Sequence, residues 1–295
     1  MDLSIITVTW NSEKQIAEQI ASVISACGGL DCEQIVIDNG SKDKTVEIIE
    51  GASRDLPIQL IKNKDNKGFA KANNQGVEIA TGKYILFLNP DMRLEDVKPL
   101  GGHVPRQGSL EKLVRWFEDK KDVGIASCKL VNKKGEFNLD TAPRRFPKVW
   151  EQVLVLLKVP HFLPMFLNQY LMRDFNPEVE QEVDSVRGSF MLVRRELIDK
   201  LGWGFDPRYF FWWEDVDLCR EAKRLEYKVM YTPIISCIDY FGTSFSKRKR
   251  FWAQRNFTKS MLQYFKKWEP MRKWIWIAIF RPIGVGLAFL FDLFF

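Results

Sequence analysis

Histidine is nearly absent from this 295-residue chain, which has only His103 and His161. The five cysteines, at 27, 32, 128, 219 and 237, form no C-x-x-C pair. These shortages leave no zinc spacing, disulfide framework, Cys–His pair or Ser-His-Asp arrangement in view. They lead us to expect a reduced, cytosolic setting. His103 falls in a loop and His161 in a Pro-flanked apolar stretch, so surface or packing roles are expected of both. Two nucleotide fingerprints are missing as well: no G-x-G-x-x-G follows the first strand, and there is no Walker loop. Asp2 and the strand-like opening "LSIITVTW" do not fit a secretory signal, so none is expected. No repeat is visible, and no linker is long enough to force a domain boundary.

What is present suits a globular protein with a sizeable core, at 46% hydrophobic and 28% charged residues. The net charge of +6 is uneven: "SKRKR" (246–250), Lys259, Lys266, Lys267, Arg272 and Lys273 make the C-terminal fifth basic. Such clustering suits phosphate groups or an acidic membrane surface. Nucleic acid is not expected, because the run is short and the aromatics beside it fit a helix interior or a lipid face. The last stretch, "WIWIAIFRPIGVGLAFLFDLFF" (274–295), is strongly apolar. A spanning helix needs about 20 apolar residues. Arg281-Pro282 interrupts this run: a central Arg costs roughly 2.5–3.5 kcal/mol on insertion, and proline breaks helices. The expectation is two short helices lying in or dipping into a membrane face. A helical pair closing the core or an oligomer interface, and a single spanning helix, are the alternatives.

The first 90 residues alternate strand and helix. Strands are expected at 3–9, 34–41, 57–63 and 83–91, with helices over 13–26, from about 43, and over 68–80. This rhythm argues for an α/β fold with a mostly parallel sheet, whose ligands bind outside the carboxyl ends of the strands. Thr9-Trp10-Asn11, Asp38-Asn39-Gly40-Ser41 and Asn89-Pro90-Asp91 all fall at those ends. A loop over 94–109, a helix over 109–121 and a strand over 123–130 follow. Residues 140–183 look irregular, and strands return at 183–195 and 227–241.

Three constellations carry chemistry. Asp91, after a buried strand and Pro90, sits where one carboxylate could share a divalent cation with a substrate phosphate, although Asn-Pro-Asp is also an ordinary turn. "DNGSKD" (38–43) and "NKGFAKANNQG" (66–76) are turn-and-helix starts whose backbone amides suit phosphate or ribose, or simply cap surface helices. "FFWWEDVDLCREAKR" (210–224) sets four aromatics against Glu214, Asp215 and Asp217. Acids favour the first turn of a helix. An aromatic shelf beside a carboxylate also desolvates it and can hold something for the carboxylate to act on. Asp217 also reads as structural, because it lies among Arg220, Glu221 and Arg224 on one helix face, where i,i+3 pairs suffice.

Together and in order, "SIITVTWNSEKQI", "VIDNGSKDKT", "NKGFAKANNQG", "ILFLNPDMRL", "VRGSFMLVRREL", "GWGFDPRYFFWWEDVDLCREAKR" and "FGTSFSK" closely resemble the inverting family 2 glycosyltransferases of GT-A fold, especially the bacterial rhamnosyltransferase-like branch that builds cell-surface polysaccharides. The resemblance covers about residues 3–246. It implies a GT-A domain over 1–245, with a nucleotide-sugar half (1–91) and an acceptor half (92–245), followed by a basic, then apolar appendage (246–295) that meets the membrane. Thr9 and Asp38 would contact the nucleobase, and Asn39, Gly68, Asn73 and Asn89 would line the donor site. Asp91 would hold Mg2+ or Mn2+, with Asn89 replacing the first acid of the family's D-x-D motif. Asp215 would be the catalytic base, with Gly188, Trp213 and Glu214 near the acceptor. Many relatives carry histidine where this chain has Asp239. Asp ligates a hard cation well, but facing the diphosphate directly its charge would repel. The implied partners are a nucleotide-diphosphate sugar, with dTDP-rhamnose favoured because "DTAPRRFP" (140–147) is similar to a segment of that branch, and a glycan or polyprenyl-diphosphate-linked acceptor. The implied location is the inner face of the plasma membrane. The rivals are a UDP-sugar transferase, a nucleotidyltransferase, which would want a Gly- and Arg-rich loop after the first strand, and a catalytically inactive relative serving in an assembly.

Overall fold

A computed structural model describes residues 1–54, 57–94, 108–240 and 250–294, excluding the side chains of 250 and 291–294. The expected loop 94–109 and the "SKRKR" run lie almost wholly outside the described residues. In chain order the strands are β1 (Leu3–Thr9), β2 (Cys32–Asp38), β3 (Ile58–Lys62), β4 (Tyr84–Leu88), β5 (Met92–Leu94), β6 (Val123–Val131), β7 (Gln181–Glu182), β8 (Phe190–Arg194) and β9 (Lys228–Asp239). The helices are α1 (Ile16–Cys27), α2 (Thr45–Ala52), α3 (Phe69–Ile79), α4 (Ser109–Glu118), α5 (Val149–Leu156), α6 (Arg195–Leu201), α7 (Glu214–Arg224), α8 (Arg250–Trp268) and α9 (Met271–Phe294).

One mixed sheet in the order β3-β2-β1-β4-β8-β6-β9-β5 organises the molecule, with β7 pairing β9. β1 to β4 are parallel, as expected of β-branched apolar runs linked by helices. Alternate residues feed two apolar layers: Ile6, Ile35, Ile37, Ile85 and Phe87 enter one, and Leu3, Ile5, Tyr84 and Leu86 the other. β8 then inserts antiparallel between β4 and β6, in register Leu88↔Phe190. Because β8 begins where β4 ends, the backbone of 187–189 is delivered to the same carboxyl edge as Asn89, whose N–H donates to the Ser189 carbonyl at 2.9 Å.

Three expectations change. The strand expected over 83–91 stops at Leu88, because Pro90 lacks a donor, and the chain restarts as β5 against β9. The region expected to be irregular contains the helix α5. The C-terminal run is one helix, not two: α9 continues through Pro282. Neighbouring elements sustain it. Arg281 Nε donates to Thr258 Oγ1 on α8 at 3.2 Å, so this charge turns onto protein. At Gly284 an added Cβ would approach the Leu156 carbonyl to 3.0 Å, which marks the close crossing of α9 over α5. Met261, Tyr264, Phe265 of α8 and Ile277 of α9 belong to the same apolar layer as the sheet. The opposite face of α9 exposes Trp276, Ile279, Ile283, Leu287 and Leu290, and the nearby chain exposes Phe162, Met165 and Phe166. Residues Met271–Leu290 are long and apolar enough to cross a membrane.

Candidate active site

The carboxyl ends of β1, β2 and β4 open onto a cleft lined by Thr9, Asn39, Asn89 and Asp91. Its aromatic wall is Phe69, Phe210, Phe211 and Trp212, closed by Trp252 of α8. A second pocket adjoins it and contains Asp215; Trp212 borders both.

Of the residues expected at the donor, Thr9, Asn39, Asn89 and Asp91 face this cleft, and Thr9 Oγ1 is buried without a hydrogen-bond partner. Asp38, Gly68 and Asn73 stand behind it. Asp38 Oδ2 accepts from the backbone N–H groups of Gly40 and Ser41, both at 3.0 Å, and its Oδ1 accepts from the Ser41 hydroxyl. Asn39 Nδ2 donates to the Gly68 carbonyl at 3.3 Å. Asn73 Nδ2 donates to the Phe69 carbonyl at 3.0 Å. Gly68 has a specific reason to be glycine. Its φ is +87°, and a Cβ there would lie 2.5 Å from the Phe210 carbonyl oxygen, which accepts from Phe69 N–H at 2.7 Å. This close approach fastens the start of α3 to the aromatic segment.

Asp91 and Asp239 meet through the sheet. β5 pairs β9 in register Met92↔Asp239, and Tyr240 N–H donates to the Asp91 carbonyl at 3.0 Å. Burial, then the Asp91 charge, pushes the Asp239 carboxyl up to about 7. Two adjacent acids with hard oxygen donors fit a divalent cation, which would relieve that repulsion. Among the described residues no group of three or more His, Cys, Asp or Glu is arranged around one ion. A cation held here would therefore complete its shell with phosphate oxygens and water.

Asp215 lies in the first turn of α7. Trp212 and Trp213 precede it with φ of +66° and +73°, a left-handed pair that turns the chain abruptly into the helix. Asp215 Oδ2 accepts from Gly188 N–H at 3.1 Å and Oδ1 from Val216 N–H at 2.8 Å. An oxygen bound by single amides keeps lone pairs for another donor. Trp213, expected near the acceptor, lines the second pocket but is only 4% exposed, with its ring packed on Phe257, Tyr264 and Phe265. Trp212 takes the position between the pockets. Glu214 is buried and lines neither pocket; burial, then the Asp215 charge, holds its carboxyl well above the usual range.

Asp217 is structural, with partners other than those expected. Lys267 Nζ of α8 donates to it at 2.7 Å, Trp268 Nε1 at 2.7 Å and Tyr209 hydroxyl at 3.3 Å. Lys267 also reaches Asp206 at 3.2 Å and Glu221 at 2.7 Å, forming a buried cluster.

Arg187 and Arg144 escape a reading of the sequence. Both line the second pocket beside Asp215. Their only sequence signal is position: Arg187 directly precedes Gly188, and Arg144 lies in "DTAPRRFP".

The profile described as Glycosyl transferase family 2 matches residues 4–202. The chain is 27% identical over 168 residues to the Minor teichoic acid biosynthesis protein GgaB of Bacillus subtilis, which covers 55% of this chain and 17% of that protein. It is 24% identical over 236 residues to Rhamnosyltransferase WbbL of Escherichia coli, covering 70% of this chain and 82% of that one. Among solved structures, the mannosyltransferase PcManGT from Pyrobaculum calidifontis, in complex with GDP-Man and Mn2+, superposes with a TM-score of 0.57 at 18% identity, covering 98% of this chain and 73% of that one. That likeness shows the fold, which is the GT-A arrangement the motifs led us to expect. Two thirds of the chain fall within the family match, and it includes every strand that builds the cleft's carboxyl edge, so this chain belongs to glycosyl transferase family 2.

Proposed function

We propose that the chain moves a glycosyl group from a nucleoside-diphosphate sugar to an acceptor hydroxyl with inversion, in cell-surface polysaccharide synthesis. The observation that carries this reading is the pair of adjoining pockets, one holding Asp91 and the other Asp215, with Trp212 between them. The donor lies in the first pocket, its base and ribose near Thr9, Asp38 and Asn39. Asp91, with Asp239, would hold a divalent cation, which when bound supplies charge neutralisation for the departing diphosphate. Asp215 accepts the proton of the acceptor hydroxyl as that oxygen bonds to the anomeric carbon. The bond from that carbon to the phosphate oxygen breaks, and its electron pair leaves with the nucleoside diphosphate. Gly188 N–H and the start of α7 hold the carboxylate for this transfer. Glu214 supports the turn from behind, where burial disfavours its charged form.

We favour dTDP-rhamnose as donor, by analogy with the rhamnosyltransferase relative; a UDP sugar is the second reading. Melting curves of the full chain with dTDP, UDP and GDP, each with and without Mn2+, test both. A nucleotide at 100 times its dissociation constant stabilises by about 2.7 kcal/mol. A metal-dependent rise with dTDP or UDP, abolished in Asp91→Ala, is expected. No rise with any nucleotide would favour a catalytically inactive assembly protein instead.

The exposed apolar face of α9, together with the basic segment before it, supports docking on the anionic inner face of the plasma membrane. Flotation with vesicles containing anionic lipid should recover the wild-type chain and much less of an Ile279→Glu, Ile283→Glu variant. Equal recovery would sink this part of the proposal.

A further inference from the structure

Three arginine side chains elsewhere among the described residues show what a fully engaged guanidinium looks like. Arg194 donates to the carbonyls of Phe117, Lys120 and Val123, and Arg195 to those of Ala80 and Gly82. Arg220 reaches the Tyr264 hydroxyl and Glu269. Arg187 differs. Its one hydrogen bond runs from a terminal nitrogen to the Asp140 carbonyl, and its Nε is out of contact with solvent and has no partner. Arg144 converges on the same point, donating to the Asp140 carbonyl at 3.3 Å while stacking over Tyr170 at 5.6 Å. Among the described residues neither guanidinium has a carboxylate oxygen within 4.0 Å. Two like charges therefore meet in a pocket walled by Tyr170, Trp212 and Val216, with Asp215 at its edge. Both guanidinium groups are half-buried, and crowding two like charges without a carboxylate in contact is costly, although the Asp215 and Asp239 charges offset part of that cost at Arg187. Consistently, burial and the Arg144 charge push the Arg187 guanidinium down to about 10.

We propose that this second pocket binds a phosphate group of the acceptor between Arg144 and Arg187, and that this anchoring sets the acceptor hydroxyl against Asp215. The inference rests on the transferase reading above and names the chemical class of its acceptor. Guanidinium groups suit a phosphate because their N–H donors form a planar fork that matches its oxygens. The donor's phosphates have their own place, on the Asp91 side of Trp212, and Arg144 does not line that cleft. The phosphate could belong to a lipid-linked or a polyol-phosphate acceptor; the recognition chemistry is the same.

The test is calorimetry on the full chain saturated with nucleotide and Mn2+, with sn-glycerol 3-phosphate and geranyl phosphate as probes and octyl glucoside as the uncharged control. Both phosphates should bind and octyl glucoside should not compete. Arg144→Gln and Arg187→Gln should each raise the phosphate dissociation constant by roughly tenfold or more, with Arg187→Lys in between. The nucleotide dissociation constant should stay within about twofold in all three. Binding of geranyl phosphate alone would also support the proposal and assign the phosphate to a lipid. Phosphate binding indifferent to both substitutions would overturn it. So would loss of nucleotide affinity in the variants, since the arginines would then serve the donor. Failure of the wild type to bind nucleotide refutes the transferase reading separately. Melting temperatures identify any variant that has not folded, for which Arg144→Lys is the substitute.

Discussion

Asp215 and Asp217 lie two residues apart on α7, and the two sides of this helix put the same side chain to opposite uses. Asp215 faces the second pocket, held by two backbone N–H groups. Asp217 faces α8, is wholly buried, and is locked by Lys267, Trp268 and Tyr209. A side chain held by fixed main-chain donors keeps accessible lone pairs in a fixed direction. One held by a buried ammonium, an indole and a phenol, with no exposed surface, cannot be reached by substrate. The chemistry of an acid is thus set by the element packed against it, and its residue type says little.

The sharpest way to break this contrast is Asp215→Asn. It should lower turnover by about 10²–10⁴-fold, the range of a lost general base, while the melting temperature and nucleotide affinity hold. A variant that retained turnover would return Asp215 to a capping role. The converse is Lys267→Met, which removes the one cation shared by Asp206, Asp217 and Glu221 and leaves Asp217 with only the Trp268 and Tyr209 donors. It should cost about 3–5 kcal/mol of stability, as for a broken buried ion pair, read by urea unfolding. Activity per folded molecule should stay near wild type. A change in turnover without a change in stability would show that the α8 side of the helix is not merely structural.

Glu214, between them, gives the finest test. Burial, and then the Asp215 charge, holds its carboxyl well above its ordinary value of 4.5. The folded state therefore keeps a proton that the unfolded chain releases. This contribution to stability is complete below pH 4.5 and is lost as pH rises through the folded-state value. Urea unfolding between about pH 5 and about pH 8 should show wild type losing more stability than Glu214→Gln, which stays neutral throughout. Equal slopes would mean that Glu214 is ionised in the fold.

Much of the site was legible in local pattern. The β-α-β-α rhythm located β1 to β4, and ligand chemistry at their carboxyl ends followed from strand direction alone. Thr9, Asn39, Asn89 and Asp91 do line one cleft. The reading weakened where a residue's role depends on distant packing. Trp212 and Trp213 are indistinguishable in sequence, yet consecutive left-handed backbones set one between the two pockets and bury the other under α8 at the wall of the second pocket alone. Arg187 was passed over because nothing local marks it. It reaches the pocket only because β8 runs antiparallel beside β4 and starts at the site's edge.

By itself, the sequence determined the elements and the edge at which chemistry gathers, because hydrophobic period, proline and turn residues act over a few positions. Tertiary structure decided that Asp215 opens onto a pocket while Asp217 pairs with lysine, that β5 and β9 bring Asp239 beside Asp91, and that α9 runs unbroken through Pro282. Each of those depends on a partner tens or hundreds of residues away, and no local pattern encodes the charge or the carbonyl that a side chain will meet.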